Sequence, residues 1–182
     1  MRYFTRFRIL LLVTVAAAAV AQAAVAGAAR PEVPAAIEVP SGNKVFLVGH
    51  AVGVQIYTCN VIADGYRWDF VAPRASLYGD NGKVLTTHFA GPSWQARDGS
   101  LAVGSVVGRA PVAGTIPWLL LATTVTAGSD GDRLAGTTFI QRIATTGGVT
   151  PDAATCNATA AGTTAEVPYT ADYFFSKATA GA

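Results

Sequence analysis

Charge is scarce in this chain and sulfur scarcer. Only 13% of the 182 residues are Asp, Glu, Lys or Arg, and there are two cysteines, two histidines and one methionine. No basic run or arginine-rich stripe occurs, so the electrostatic footprint of a nucleic-acid binder is missing and no nucleic-acid partner is expected. The net charge of +2 does not change this. Three of the thirteen bases, Arg2, Arg6 and Arg8, stand in the first 29 residues, where there is no acid; beyond them ten bases face eleven acids, a net of −1. Attraction to anionic membranes falls away with it. His50 and His88 are far apart, and neither has a second histidine or a carboxylate at ligand spacing. No metal site and no cofactor is expected from them. Gly-x-Ser-x-Gly surrounds neither Ser93 nor Ser100, so the nucleophile elbow of a serine hydrolase is also absent.

What is present begins with an address. "MRYFTRFR" is followed by the apolar "ILLLVTVAAAAVA" and by small-x-small sites at Ala21–Ala23 and Ala24–Ala26. A basic start, an apolar run and small residues at the cut make residues 1–29 a secretory signal peptide. The apolar stretch from Ile9 to Val20 is shorter than the roughly 20 residues that a bilayer span needs. No second run of spanning length follows, so the mature chain is expected to lack a membrane span and to be secreted or periplasmic. Export and an even cysteine count predict a disulfide between Cys59 and Cys156. A catalytic cysteine paired with a histidine would leave the other thiol unexplained.

The remaining ~150 residues suit one domain with a real core. Residues 30–43 form a proline-punctuated lead-in, 44–176 a β domain and 177–182 a small-residue tail. "KVFLVG", "AVGVQIYTC", "YRWDFV", "ASLYG", "KVLTTHF", "SWQA", "SLAVGSVVG", "PWLLLATTVT", "TTFIQRIAT" and "VPYTADYFF" are rich in β-branched and aromatic residues and are separated by turn signals. In the second of them Val52, Val54 and Ile56 share a face with period two. Asn81-Gly82 supplies the positive φ angles of a tight hairpin. About nine short strands without an amphipathic helix predict an all-β domain, a single antiparallel sandwich or barrel.

Candidate chemistry concentrates in "HFAGPSWQARDGS", His88 to Ser100. Proline and glycine predict a strand end, a break at Gly91-Pro92, a short strand through Trp94 and a turn at Asp98-Gly99. Two readings of Trp94 stand side by side. An exposed tryptophan beside His88, Gln95, Arg97 and Asp98, with Arg142 from a later strand, would stack on a sugar ring or another planar ligand. A buried one would cap the end of the fold, as tryptophans routinely do, and would favour a purely structural envelope or matrix protein. A third possibility is an extracellular hydrolase using His88 and Asp98 for acid–base work, with Ser93 or Ser100 as nucleophile. A glycosidase would need two carboxylates flanking a cleft, to be drawn from Asp64, Asp69, Asp98 and Glu166. The leading expectation is a binding domain for a small molecule, glycan or cell-surface component.

"HFAGPSWQARDGS", "IPWLLLATT", "TTFIQRIATTGGVTP" with the later Cys156, and "VPYTADYFF" together resemble the secreted domain-of-unknown-function family numbered 3455. The resemblance runs in order over nearly all of the chain beyond the signal. It implies secreted or surface-destined proteins of bacteria and fungi with matching cysteines, and it transfers no catalytic role. Some members carry a malate dehydrogenase label, which this sequence does not support. "GDNGKV" and "GHAVGV" do not form Gly-x-Gly-x-x-Gly, and no helix follows either.

Overall fold

The computed structural model describes residues 29–179, so the expected signal peptide and the end of the tail lie outside the described residues. Eight strands close into one barrel in sequence order, every neighbour antiparallel. They are β1 (Asn43–Ile62), β2 (Gly65–Tyr78), β3 (Val84–Phe89), β4 (Ser93–Ala96), β5 (Leu101–Ala110), β6 (Trp118–Ala127), β7 (Thr137–Gly147) and β8 (Thr164–Ala178). Closure leaves no sheet edge to template aggregation. It also excludes the parallel sheet with crossover helices that a dinucleotide-binding half requires.

The all-β expectation holds, with fewer and longer strands than the sequence suggested. "KVFLVG" and "AVGVQIYTC" are one strand because His50 pairs on both sides, with Tyr78 and with Asp172. Pro73 does not end β2, because it lies opposite Gln55 on one side while β3 reaches only Ala75 on the other. A proline is tolerated where a neighbouring strand has stopped. The β2–β3 turn differs from the expected type. Gly82 has φ +72°, while Ala144 is the only non-glycine residue with positive φ among the described residues. Asn81 therefore turns by accepting the Lys83 amide on its side chain, a hydrogen bond of 3.0 Å.

The inward phase of the strands is the other surprise. Val52 points outward and is 58% exposed, whereas Ala51 and Gln55 are buried. The alternation in "AVGVQIYTC" is real, but its valine face is the outer one. The interior must hold Trp94, Tyr173 and Phe175, all essentially inaccessible, so small residues such as Ala51, Ala75 and Ala102 stand opposite them. Alternating small and large residues is how a narrow barrel fills. Within "PWLLLATT", Leu119 and Leu121 face the interior while Leu120 joins an outer cluster with Ile37, Val39 and Ile143. That cluster explains the unbroken apolar run. The lead-in lies across the barrel wall as a second layer, and Gln141 donates to the Ile37 carbonyl at 2.7 Å. A side chain at Gly108 would collide with the Ala36 carbonyl, so this close crossing of the lead-in requires glycine there.

Two further devices fix the ends. Leu134, on the β6–β7 loop, is fully buried and plugs one end of the barrel. At the other end β1, β2 and the start of β8 run on past their neighbours as a ribbon, which the Cys59–Cys156 disulfide ties to the β7–β8 loop. Tyr57 and Trp68 pack around that bridge in a satellite cluster.

Candidate functional site

The end opposite Leu134 is not filled. A cavity of about 420 Å³ opens there, with Leu119, Leu121 and Val106 on its walls, Phe70 and Val71 from the ribbon at its mouth, and the β3–β4 turn along its rim. Phe70 and Val71 are each more than half exposed, at 54% and 55%. The rim is rigidly cross-linked. Tyr57 donates to the Gly148 carbonyl at 2.7 Å, Thr145 to that of Ile116 at 2.7 Å, and Ile116 N–H to Gly147 at 3.1 Å. Gly148 has φ +72°, and a side chain there would press on Tyr169, Gln55 and Ile116.

Polar side chains line part of this space, His88, Tyr173, Arg142 and Gln55 among them. His88 and Trp94 are opposed residues of β3 and β4, so they project to the same side and stack, centroids 4.4 Å apart and planes 7° from parallel. Tyr173 meets the edges of both, at 5.3 and 5.6 Å. The His88 Nδ1–H donates to the Ser93 carbonyl at 2.9 Å. A carbonyl only accepts, so the neutral ring carries its proton on Nδ1 and presents Nε2 as an acceptor. Burial pushes its pKa down to about 3, and the charge of Arg142 acts in the same direction. Arg142 follows Ile140 in the inward phase of β7, is only 9% exposed, and donates through Nε and Nη2 to the Pro117 carbonyl at 3.2 and 2.8 Å. Gln55 lines the cavity too, 3% exposed, and its Nε2 is buried without a hydrogen-bond partner.

The six residues singled out from sequence separate into two groups. His88, Trp94 and Arg142 meet at the cavity. Gln95 faces outward on β4, and Arg97 and Asp98 lie exposed in the β4–β5 turn at the far end. Asp98 is a turn-former: its Oδ1 accepts from the Ser100 amide at 3.0 Å and hydroxyl at 2.6 Å, and its Oδ2 from the Arg133 amide at 2.8 Å. Those bonds hold its carboxyl well below the usual range. The serine–histidine–aspartate arrangement is therefore not assembled, since Ser100 and Asp98 bond to each other and His88 bonds to the backbone. Among the described residues no carboxylate lines the cavity. Asp69 is engaged by Arg67 and Asn60, and Glu166 by Arg74. Among the described residues there is no cluster of His, Cys, Asp or Glu able to hold a metal ion.

Trp94 is fully buried in the core and presents no exposed stacking surface. Gln55, Tyr57 and Tyr173 were missed. Their signal was available as polar side chains in the inward phase of β1 and β8, although the period-two valines of β1 mark its outer face.

Neutral burial of His88 makes stability pH-dependent. The unfolded ring takes its proton near 6.5 and the folded one only near 3, so between those values the unfolded chain binds more protons and acid destabilises the fold. At about pH 5 this one group should cost roughly 2 kcal/mol relative to pH 7.5. His50 works the other way. Hydrogen bonds to Asp172 and Asp80 raise its pKa, so its contribution is present in acid and lost as pH climbs above 6.5. Comparing urea unfolding of the wild type with His88→Gln at both pH values cancels His50. Equal acid losses in the two proteins would show that His88 is not buried neutral.

A family model described as a protein of unknown function, DUF3455, matches residues 40–177. No curated protein and no solved structure matches the chain.

Proposed function

The chain belongs to the DUF3455 family of proteins of unknown function, and on that premise we propose that it is an exported binding protein whose barrel takes one small, largely apolar molecule into its open end. The observation that carries this reading is the cavity of about 420 Å³ enclosed by the barrel wall and the ribbon. An eight-stranded barrel is just wide enough to be filled by side chains or to hold one small ligand. A protein with only a structural task would gain most from the first arrangement, packed to the density of an ordinary core. This one leaves the space open and includes in its lining Gln55, whose buried Nε2 has no hydrogen-bond partner. Mostly apolar walls with a few convergent polar groups are the usual composition of a small-molecule site.

Export is supported by the basic and apolar start of the sequence and by the single disulfide, which suits an oxidising compartment. No helix among the described residues is long and apolar enough to cross a membrane. A glycan is a poorer fit than an apolar body, because few polar groups face the cavity and its tryptophan is fully buried.

Titration with the neutral fluorophore N-phenyl-1-naphthylamine tests the proposal. One probe should bind per chain with a rise in emission. Val106→Trp, which places an indole in the cavity from a half-buried position, should weaken binding by about ten-fold or more with the melting temperature nearly unchanged. Absence of saturable binding, or unchanged binding in the plugged variant, would remove the reading.

A further inference from the structure

Arg142 is the feature that the apolar reading leaves unexplained. It is a cation inside the barrel, 9% exposed, and no acidic side chain among the described residues lines the cavity to which it contributes. The Pro117 carbonyl takes two of the five N–H donors of its guanidinium, and the Tyr173 hydroxyl lies within its reach, but neither carries a counter-charge. A buried charge without a counter-charge is costly to keep, and natural cores pair such groups or dispense with them. A second lining residue, Gln55, is 3% exposed and has its Nε2 donor unsatisfied. Both groups have N–H donors to spare: those of Arg142 beyond the two that Pro117 accepts, and the partnerless Nε2 of Gln55. The rim adds another positive charge in Arg109, which is exposed.

We propose that the cavity selects a carboxylic acid, with the carboxylate received by Arg142 and the apolar body of the molecule lying between the barrel wall and the ribbon. The inference rests on the cavity being a ligand site and specifies the chemistry of what enters it. A guanidinium meets a carboxylate as a planar fork meets two oxygens, and the bond is strong where water is excluded. One buried positive charge matches one negative charge. A phosphate dianion would bring a second negative charge into apolar surroundings with no buried partner. Burial dominates at His88, Tyr57, Tyr169 and Tyr173, lowering the imidazole and raising the three phenols, and at each of them the nearby charge of Arg142 acts as a smaller downward pull, so its positive field extends across the site before any ligand arrives. His88 supports the arrangement by remaining neutral. A protonated imidazole would compete with Arg142 for the anion, whereas its Nε2 can accept a hydrogen bond from a hydroxyl on the ligand.

Matched acids and amides provide the test, with octanoate against octanamide and 3-phenylpropanoate against its amide, each read by calorimetry and by displacement of N-phenyl-1-naphthylamine. The acids should bind the wild type at least ten-fold more tightly than their amides. Arg142→Gln should bring acid and amide to parity while the neutral probe still binds, and Arg142→Lys should retain part of the preference. Arg109→Gln should leave the preference in place. Equal binding of acid and amide to the wild type overturns the inference and leaves the apolar cavity reading standing. That comparison needs no variant, so it decides even if Arg142→Gln does not fold. Preference surviving in Arg142→Gln, or lost in Arg109→Gln alone, overturns the assignment to Arg142. Failure of acids, amides and neutral probe alike removes both readings together.

Discussion

Trp94→Ala should cost about 3–5 kcal/mol of unfolding free energy, the range for emptying a large aromatic site in a closed core. The indole is fully inaccessible, lies flat on His88 at 4.4 Å, and receives Tyr173 and Phe175 edge-on at 5.6 and 6.0 Å. Removing it withdraws the central contact of three strands that meet across the barrel, β3, β4 and β8. Trp94→Phe should cost far less. It retains a ring for His88 to stack on and deletes Nε1–H, a buried donor without a partner. Urea unfolding of both variants checks this. A loss below about 1 kcal/mol for Trp94→Ala would mean that the barrel collapses onto the vacancy, and the interior would then not be the rigid container that ligand binding requires.

Removal of the disulfide should be comparably severe. Cys59 and Cys156 are 97 residues apart, and a loop of that length is worth about 4–5 kcal/mol in the chain-entropy account. The double variant Cys59→Ala/Cys156→Ala should lose most of that amount in equilibrium unfolding. The bridge also anchors the ribbon that carries Tyr57 and Phe70 to the cavity mouth. Affinity for the neutral probe should therefore fall in the double variant even under conditions where the barrel remains folded. A stability loss under about 1 kcal/mol would show that packing of Trp68 and Tyr57 holds the β7–β8 loop without covalent help.

Strand chemistry was the most legible part of this chain. β-Branched and aromatic residues marked the strands, and Gly91-Pro92 and Asp98-Gly99 marked the breaks in the stretch around Trp94. The strand breaks expected at His50 and Pro73 did not occur, because pairing partners on the neighbouring strands override local turn preference. Asp98 was ambiguous between catalyst and turn-former until Ser100 and Arg133 were seen to satisfy it.

By itself the sequence determined that the domain is β throughout and that its two cysteines pair, since propensity, turn chemistry and cysteine count are local or compositional properties. It could not determine which face of each strand looks inward. Period two is symmetric, and in β1 the richer apolar face is the outer one, with Val52 exposed and Gln55 buried. Nor could it gather the site. His88, Trp94 and Arg142 were each singled out from sequence, yet Gln55, His88 and Arg142 share a cavity only because β1, β3 and β7 are strands of one closed barrel. Closure fixes which side chains meet across the interior, and the space they leave unfilled is a property of that closure.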